Sequence, residues 1–269
     1  MFPQTLSKTI DNLHKLGEGV LTLNNDTSTW MLHLAEGQLI YPVSVFHRVR
    51  RWDRAIREQR LNWRWRIAPE WLSASSLWEL LLFEQGFAQQ RFGSLQAKLV
   101  IRSVVQECFF ELSRNAELQI VWTPMPKPLS ACFKTAALST RELKMLYHKA
   151  ASMQREWQSV KSRNLNPNLA PVLTQAVNPE SLPISPMYLT GQFNLWDISL
   201  WVGRSLAWLA QALLPLVERN CLQFNPLSDL LGPAPEPTTA LMRQQSVAAP
   251  PPTSPAADRS QPLIACIDD

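Results

Sequence analysis

The sequence lacks any continuous apolar run long enough to cross a membrane as a helix. Its longest apolar stretches are interrupted by Arg, Glu, Gln or Pro, whereas a membrane-spanning helix needs roughly 20 apolar residues. Residues 1–4 also lack the basic head and apolar segment of a secretory signal peptide. These two absences predict a cytoplasmic protein with no membrane span.

Residues that build catalytic and metal sites are scarce. The chain has only four cysteines, four histidines and eight glycines. The cysteines are too far apart in sequence for a zinc site or a disulfide framework, and the histidines show no metal-ligand spacing. The sequence contains neither a glycine-rich phosphate loop nor a nucleophile motif. We therefore expect a protein that is not an enzyme and that holds no cofactor in this chain. The residues concerned are Cys108, Cys132, Cys221, Cys266, His14, His33, His47 and His148.

Apolar periodicity predicts an α+β fold whose first lobe covers residues 1–124. Residues 5–16 have the three-and-four spacing of an amphipathic helix. Short strand-like segments separated by turn residues follow and predict a hairpin extended into a β-meander. Residues 75–112 look helical throughout, and strand alternation returns at 117–122 before prolines end the unit. The strands of the meander are expected at 20–23, 30–34 and 38–41.

A second, helical lobe is predicted over residues 138–230. Its first helix begins at a capping box formed by Ser139 and Glu142. Residues 191–227 have the order helix, tight turn, helix, strand, which is typical of a winged-helix module. The expected N-caps of the two helices are Asn194 and Ser205, the break between them is Gly203, and the strand covers residues 221–224.

The C-terminal part of the chain differs in composition from both lobes. Residues 232–262 are rich in proline and small polar residues and bury too little apolar surface to offset the entropy of ordering them, which predicts a disordered linker. Residues 263–269 then form an apolar run of strand length that ends in two carboxylates, Asp268 and Asp269. Such a pair supplies hard oxygen ligands for a divalent cation. Because a linker normally joins two folded units, we expect 263–269 to be the first strand of a missing domain.

Two parts of the sequence resemble known families. The segment Pro262-Leu263-Ile264-Ala265-Cys266-Ile267-Asp268-Asp269 resembles the first strand and acidic pair of CheY-like receiver domains. The segments Gly19-Val20-Leu21-Thr22-Leu23, Glu36-Gly37-Gln38-Leu39-Ile40 and Leu195-Trp196-Asp197-Ile198-Ser199-Leu200-Trp201 are similar to the PATAN domain, the N-terminal module of PatA-type response regulators of cyanobacteria. Residues 44–98 fit the helical insertion that this family carries.

The resemblance implies a role in two-component signal transduction. A cognate histidine kinase would phosphorylate the full-length receiver, where Asp268 and Asp269 would bind Mg²⁺, but the phosphate-accepting residue would lie beyond residue 269. The N-terminal module would be the output and would act on protein partners, such as a pilus motor or a cell-division protein. The implied pathways are cell patterning, or type IV pilus motility and phototaxis.

One stretch, residues 48–66, combines eight arginines and three tryptophans with only two acidic residues. Guanidinium groups pair bidentately with carboxylates and phosphates, and tryptophan adds stacking area. One interpretation is a surface for an acidic protein partner, with Arg50, Arg54, Arg57 and Trp52 as the candidate contacts. The alternative is an insertion helix whose arginines are solvated and whose tryptophans belong to the core.

A DNA-binding transcription regulator is the competing function. The winged-helix order of 191–227 and the isoelectric point of about 9.0 favour it. A recognition helix, however, needs several side chains able to reach base edges and phosphates. The second helix is apolar apart from Arg219 near its end, with Arg204 just ahead of it. Nucleic acid is therefore the less favoured partner, and a ligand-sensing pocket is not visible in the sequence.

Overall fold

The computed structural model confirms the predicted α+β class. It describes residues 4–61, 63, 65–67, 71, 77–114, 117–125, 131–160 and 165–233. The helices are α1 (Gln4–Asn12), α2 (Arg48–Glu58), α3 (Trp78–Ala88), α4 (Ser94–Leu112), α5 (Ala131–Lys134), α6 (Thr140–Ser159), α7 (Leu195–Val202) and α8 (Leu206–Glu218). The strands are β1 (Gly19–Asn24), β2 (Thr29–Ala35), β3 (Gln38–Ser44), β4 (Gln119–Pro124), β5 (Ala170–Leu173) and β6 (Leu222–Asn225).

The predicted meander is present and is extended by one more strand. β1, β2 and β3 follow one another as antiparallel neighbours, and β4 pairs antiparallel with the other side of β1, so the order is β3-β2-β1-β4. Glu36 and Gly37 join β2 to β3 and both have positive φ, as tight hairpin turns require. A Cβ at Gly37 would also lie 2.7 Å from the Cα of His14. This turn therefore depends on glycine for both its conformation and its packing.

Helices α2 and α3 lie within the predicted insertion at 44–98, but the expectation of continuous helix over 75–112 is wrong. Helix α3 ends at Ala88, Gln90 adopts a left-handed conformation, and α4 begins after Gly93. The chain turns back between the two helices so that the Phe92 ring packs against Gly86, where a Cβ would lie 2.3 Å from the ring. The missing side chain at residue 86 makes room for this reversal.

The buried side chains form one continuous core. A single cluster of buried apolar residues runs from Leu6 to Leu222 and includes members of both predicted lobes. Helix α6 packs against α1, α4 and α8, and the backbones of Leu39 and Leu138 exchange two hydrogen bonds. The predicted boundary between residues 124 and 138 therefore does not separate two cores.

The second half contains the predicted order of helix, turn, helix and strand. Asn194 and Ser205 cap α7 and α8 with their side chains, and Gly203 ends α7 in the left-handed conformation. Strand β6 pairs antiparallel with β5, which precedes both helices. The sequence did not predict β5 because Pro171 argues against a strand, but a two-stranded sheet has only edge strands, which tolerate proline.

Among the described residues, no single helix is long and apolar enough to cross a membrane. Helices α7 and α8 reach that length and apolarity only when they are taken together, and they are bent by 110° relative to each other.

Candidate functional site around helix α2

Helix α2 carries most of the arginines that stand out in the sequence, and it buries three of them. Arg50, Arg51 and Arg54 are only 5%, 2% and 5% exposed. Helix α2 packs against α4 and α7. A buried charge that lacks a partner is strongly destabilising. The surrounding helices must therefore supply carboxylates.

Asp197 of α7 binds two of these arginines. Its carboxylate accepts from Nη1 of Arg50 at 2.9 Å and from Nη1 of Arg54 at 2.7 Å. The same carboxylate accepts from the backbone N–H of Asn194, whose side chain caps α7 in return. Asp197 thus completes the capping box of α7 and at the same time attaches α7 to α2.

Two glutamates one turn apart on α4 bind the arginines from the other side. Glu107 accepts from Nη2 of Arg54 at 2.7 Å and from Nε of Arg51 at 3.2 Å. Glu111 accepts from Nη2 of Arg51 at 2.8 Å. Burial by itself lowers the pKa of Arg54, but the carboxylates of Glu107 and Asp197 outweigh burial and raise this pKa above its ordinary value. The arginine stays charged inside the core. We call the set Arg50, Arg51, Arg54, Glu107, Glu111 and Asp197 the arginine network.

Further pairs flank the arginine network on α2. Arg48 pairs with the buried carboxylate of Glu79 on α3, and its guanidinium lies 5.1 Å from the ring centre of Trp78. Arg57 donates to Asp53 one turn back at 2.7 Å and lies 5.2 Å from the ring centre of Trp201 on α7. Charged pairs therefore attach helix α2 to α3, α4 and α7, in addition to the buried apolar side chains of α2.

These positions correct the sequence-based hypothesis for the Arg/Trp stretch. Arg50 and Arg54 do not face solvent, and their acidic partners belong to the same chain. Trp52 is fully buried in an aromatic cluster with rings such as Phe83, at 4.9 Å between ring centres. The side chain of Arg57 is 23% exposed and is paired with Asp53. Trp52 belongs to the core, as the second interpretation expects. Arg50 and Arg54 agree with neither interpretation, because they face neither a partner nor solvent.

The last described residues of the chain return to the start of α2. Residues 226–230, which we call the strap, follow β6 directly. The Asp229 carboxylate accepts from the backbone N–H groups of Val49 and Arg50, each at 2.9 Å. Arg50 Nε also donates to the carbonyl of Ser228 at 3.0 Å. The strap thus adds a carboxylate at the positive end of the α2 dipole.

His47 joins the strap to α7. Asn194 uses its side-chain oxygen to accept from the Asp197 N–H, so its Nδ2 must donate to His47 Nδ1, at 3.2 Å. The proton of the neutral imidazole therefore lies on Nε2, which donates to the carbonyl of Leu227 at 2.7 Å. Burial is the largest influence on His47 and lowers its pKa below the ordinary value. A neutral His47 can therefore accept from Asn194 through Nδ1 and donate to the Leu227 carbonyl through Nε2.

A groove of about 470 Å³ lies between the strap and the β1–β2 turn. Its walls include Leu227 of the strap and Phe46, which is 53% exposed. Glu111 also lines the groove and accepts from Trp30 Nε1 at 3.3 Å and from Asn168 Nδ2 at 3.0 Å. Because Glu111 also binds Arg51, the groove is in direct contact with the arginine network.

The second site predicted from the sequence is the acidic pair near residue 269. Asp268 and Asp269, the predicted Mg²⁺ ligands, are outside the described residues, as is the linker from residue 234 onward. Within the described ranges, no three His, Cys, Asp or Glu side chains gather in a way that could hold a metal ion. Cys108 is fully buried beside the network, and burial raises its pKa to about 12, which keeps it a neutral thiol.

Sequence reasoning missed the acidic half of the arginine network. Glu107 and Glu111 are the two acidic residues of a largely apolar part of α4, between Val104 and Leu112. Two acids spaced by four residues on a buried helix face indicate a buried cationic partner, and the arginine-rich segment is the obvious source. Asp229 gave no such signal, because it lies in an irregular segment 180 residues from Val49.

Comparison of the chain with protein-family models, with curated proteins and with solved structures finds no match in any of the three. The resemblance to receiver and PATAN segments therefore stays a prediction.

Proposed function

We propose that the chain is the output module of a two-component response regulator and that it acts by binding a protein partner, not by catalysis. The resemblance of residues 262–269 to a receiver strand, and of the segments beginning at Gly19, Glu36 and Leu195 to the PATAN domain, supports the proposal. The implied partners are a pilus motor or a cell-division protein, and the implied setting is the cytoplasm. A cognate histidine kinase and Mg²⁺ would act on the full-length receiver.

The exposed face of α8 is the observation that carries the choice of a protein partner. Trp208 is 38% exposed, although the helix is otherwise largely apolar and packed against α6 and α7. The guanidinium of Arg204 lies 5.4 Å from the ring centre of Trp208. Tryptophan and arginine are enriched among the few residues that dominate binding energy at protein interfaces. The pair has the composition of a small protein-binding surface.

DNA binding is the second candidate, and the order of elements favours it. Helix α6, strand β5, helices α7 and α8 and strand β6 follow the order of a winged helix, in which α8 would enter the major groove. The chemistry of α8 opposes it. Its exposed positions are Trp208, Gln211, Pro215 and Glu218, none of which is basic. A helix with this surface offers little to phosphates or guanine edges.

Binding measurements with purified components distinguish the two functions. We expect the chain to bind either a pilus motor protein or a cell-division protein of the same organism, and not mixed duplex DNA at moderate salt. Trp208→Ala is expected to weaken binding roughly tenfold or more. The matched control is Leu95→Ala, which removes a side chain that is 69% exposed on α4 and should leave affinity unchanged.

Two outcomes would reject this proposal. Tight DNA binding that falls steeply with salt, together with no binding to either protein, would favour the transcription regulator. Equal effects of Trp208→Ala and Leu95→Ala on a bound protein would show that the α8 face is not the contact surface.

A further inference from the structure

Helix α2 lacks a cap from its own sequence. The first N–H groups of a helix have no partner within the helix, and a side chain at the N-cap position usually accepts from them. The N-cap residue here is His47, which adopts a left-handed conformation (φ 50°) and makes no capping hydrogen bond with its side chain. Asp229 of the strap performs this role instead, through Val49 and Arg50.

The strap is held by polar contacts to α2 and His47 and by Leu230, which packs against the core. Ser228 and Asp229 are exposed, and Leu227 and Leu230 are only half-buried. The next residue, Leu231, is 83% exposed. Segments that bury few apolar groups open locally at a lower free energy than the core does. The strap can therefore detach while the helices and the sheet stay folded.

Detachment of the strap would change two features at once. The first turn of α2 would lose its capping carboxylate, and Arg50 would lose the carbonyl of Ser228. The groove would lose the part of its wall that Leu227 forms, while Phe46 would remain in place. Both changes occur next to the arginine network, which attaches α2 to α4 and α7.

We propose that the strap is a reversible latch that controls the first turn of α2 and the adjoining groove. When the strap is docked, Asp229 caps α2 and Leu227 closes one side of the groove. When it is released, the first turn of α2 loses its cap and the groove opens. That the latch regulates an output module rests on the proposed function. The latch itself is inferred from the fold alone.

Amide hydrogen exchange of the whole chain tests the latch directly. Asp229→Ala is expected to raise exchange at Val49 and Arg50 on the order of tenfold, the effect of losing one N-cap. Exchange in β1, β2 and the centre of α4 should stay as in the wild type. The matched control is Ser228→Ala, because Ser228 contributes its backbone carbonyl to Arg50. Asp229→Asn is expected to lie between the two, because asparagine also caps helices but lacks the charge.

Two results would overturn the latch. Equal exchange at Val49 and Arg50 in Asp229→Ala and Ser228→Ala would show that the strap does not cap α2. A uniform rise over the sheet and α4 in Asp229→Ala would show that the strap is part of the global fold and cannot open by itself. Neither readout involves a binding partner, so failure of the latch is distinguishable from failure of the Trp208 binding test.

Discussion

Helices α2 and α8 have similar lengths, 11 and 13 residues, but they differ in the kinds of side chain that they bury. Helix α8 buries leucines at a spacing of three and four, which contributes non-directional hydrophobic free energy. Helix α2 also buries apolar residues, among them Trp52, but in addition it buries three arginines. The guanidinium of each arginine must meet a carboxylate at hydrogen-bond distance. The leucines of α8 thus specify that it is buried, whereas the arginines of α2 also specify which residues it must face. The buried leucines of α8 are Leu206, Leu209, Leu213 and Leu216.

The largest loss of stability is expected when a central carboxylate of the arginine network is removed. Glu107→Ala leaves Arg51 and Arg54 with one partner fewer in the core, and breaking a buried pair costs about 3–5 kcal/mol. Urea unfolding measures this change in the free energy of unfolding. Glu156→Ala, an exposed acid on α6, is the control and should change stability by about 0.5 kcal/mol or less.

A double substitution sharpens this result. In Glu107→Ala the network has one positive charge more than it has carboxylates. Adding Arg54→Met removes this excess charge, so we expect the double variant to recover part of the lost stability. A Glu107→Ala chain as stable as the Glu156→Ala control would mean that charge pairing does not hold α2 in place.

Leu209→Ala is the corresponding test on α8, with a slightly smaller expected effect. Leu209 is fully buried, and a buried leucine truncated to alanine costs about 2–5 kcal/mol through lost transfer free energy and the remaining cavity. Chemical denaturation measures the loss, and Gln211→Ala at an exposed position of the same helix is the control. An unchanged midpoint for Leu209→Ala would place this face of α8 outside the core.

Acidification is the third test, and it concerns His33 of β2, which the charge of Arg48 on α2 influences. Burial, and then the charge of Arg48, lower the pKa of His33 from 6.5 to about 4. Between these two pH values the unfolded chain carries more protons on this residue than the folded chain does, so stability falls as pH drops below 6.5. His33 alone accounts for a loss of about 3 kcal/mol at most. The lowered pKa of His47 acts in the same direction.

Urea unfolding between pH 7.5 and 4.5 measures this slope. Replacement of His33 by leucine is expected to flatten it, whatever the stability of the variant at pH 7.5. If the slope is the same with and without His33, this histidine is not held neutral by the fold. The raised pKa of the buried Glu79 works in the opposite direction, so the comparison with the His33 variant is needed to isolate the effect.

Local signals predicted the parts of the fold whose causes are local. The meander was predicted from strand-like segments and the turn at Glu36 and Gly37, and the starts of α6, α7 and α8 were predicted from Ser139, Asn194 and Ser205. The break between α3 and α4 was not predicted, because it depends on the packing of Phe92 against Gly86. The candidate site was predicted only as a segment: residues 48–66 were singled out, but their burial was not.

By itself, the sequence determined the α+β class, the caps that start α6, α7 and α8, and the excess of arginine in α2, because propensity, capping and composition act over a few residues. Only the tertiary structure decided what these arginines face. Their partners lie on α4, on α7 and in the strap, up to 178 residues away in the chain. An exposed arginine and a buried, paired one look the same in one sequence, because the difference is made by carboxylates that folding brings to within about 3 Å.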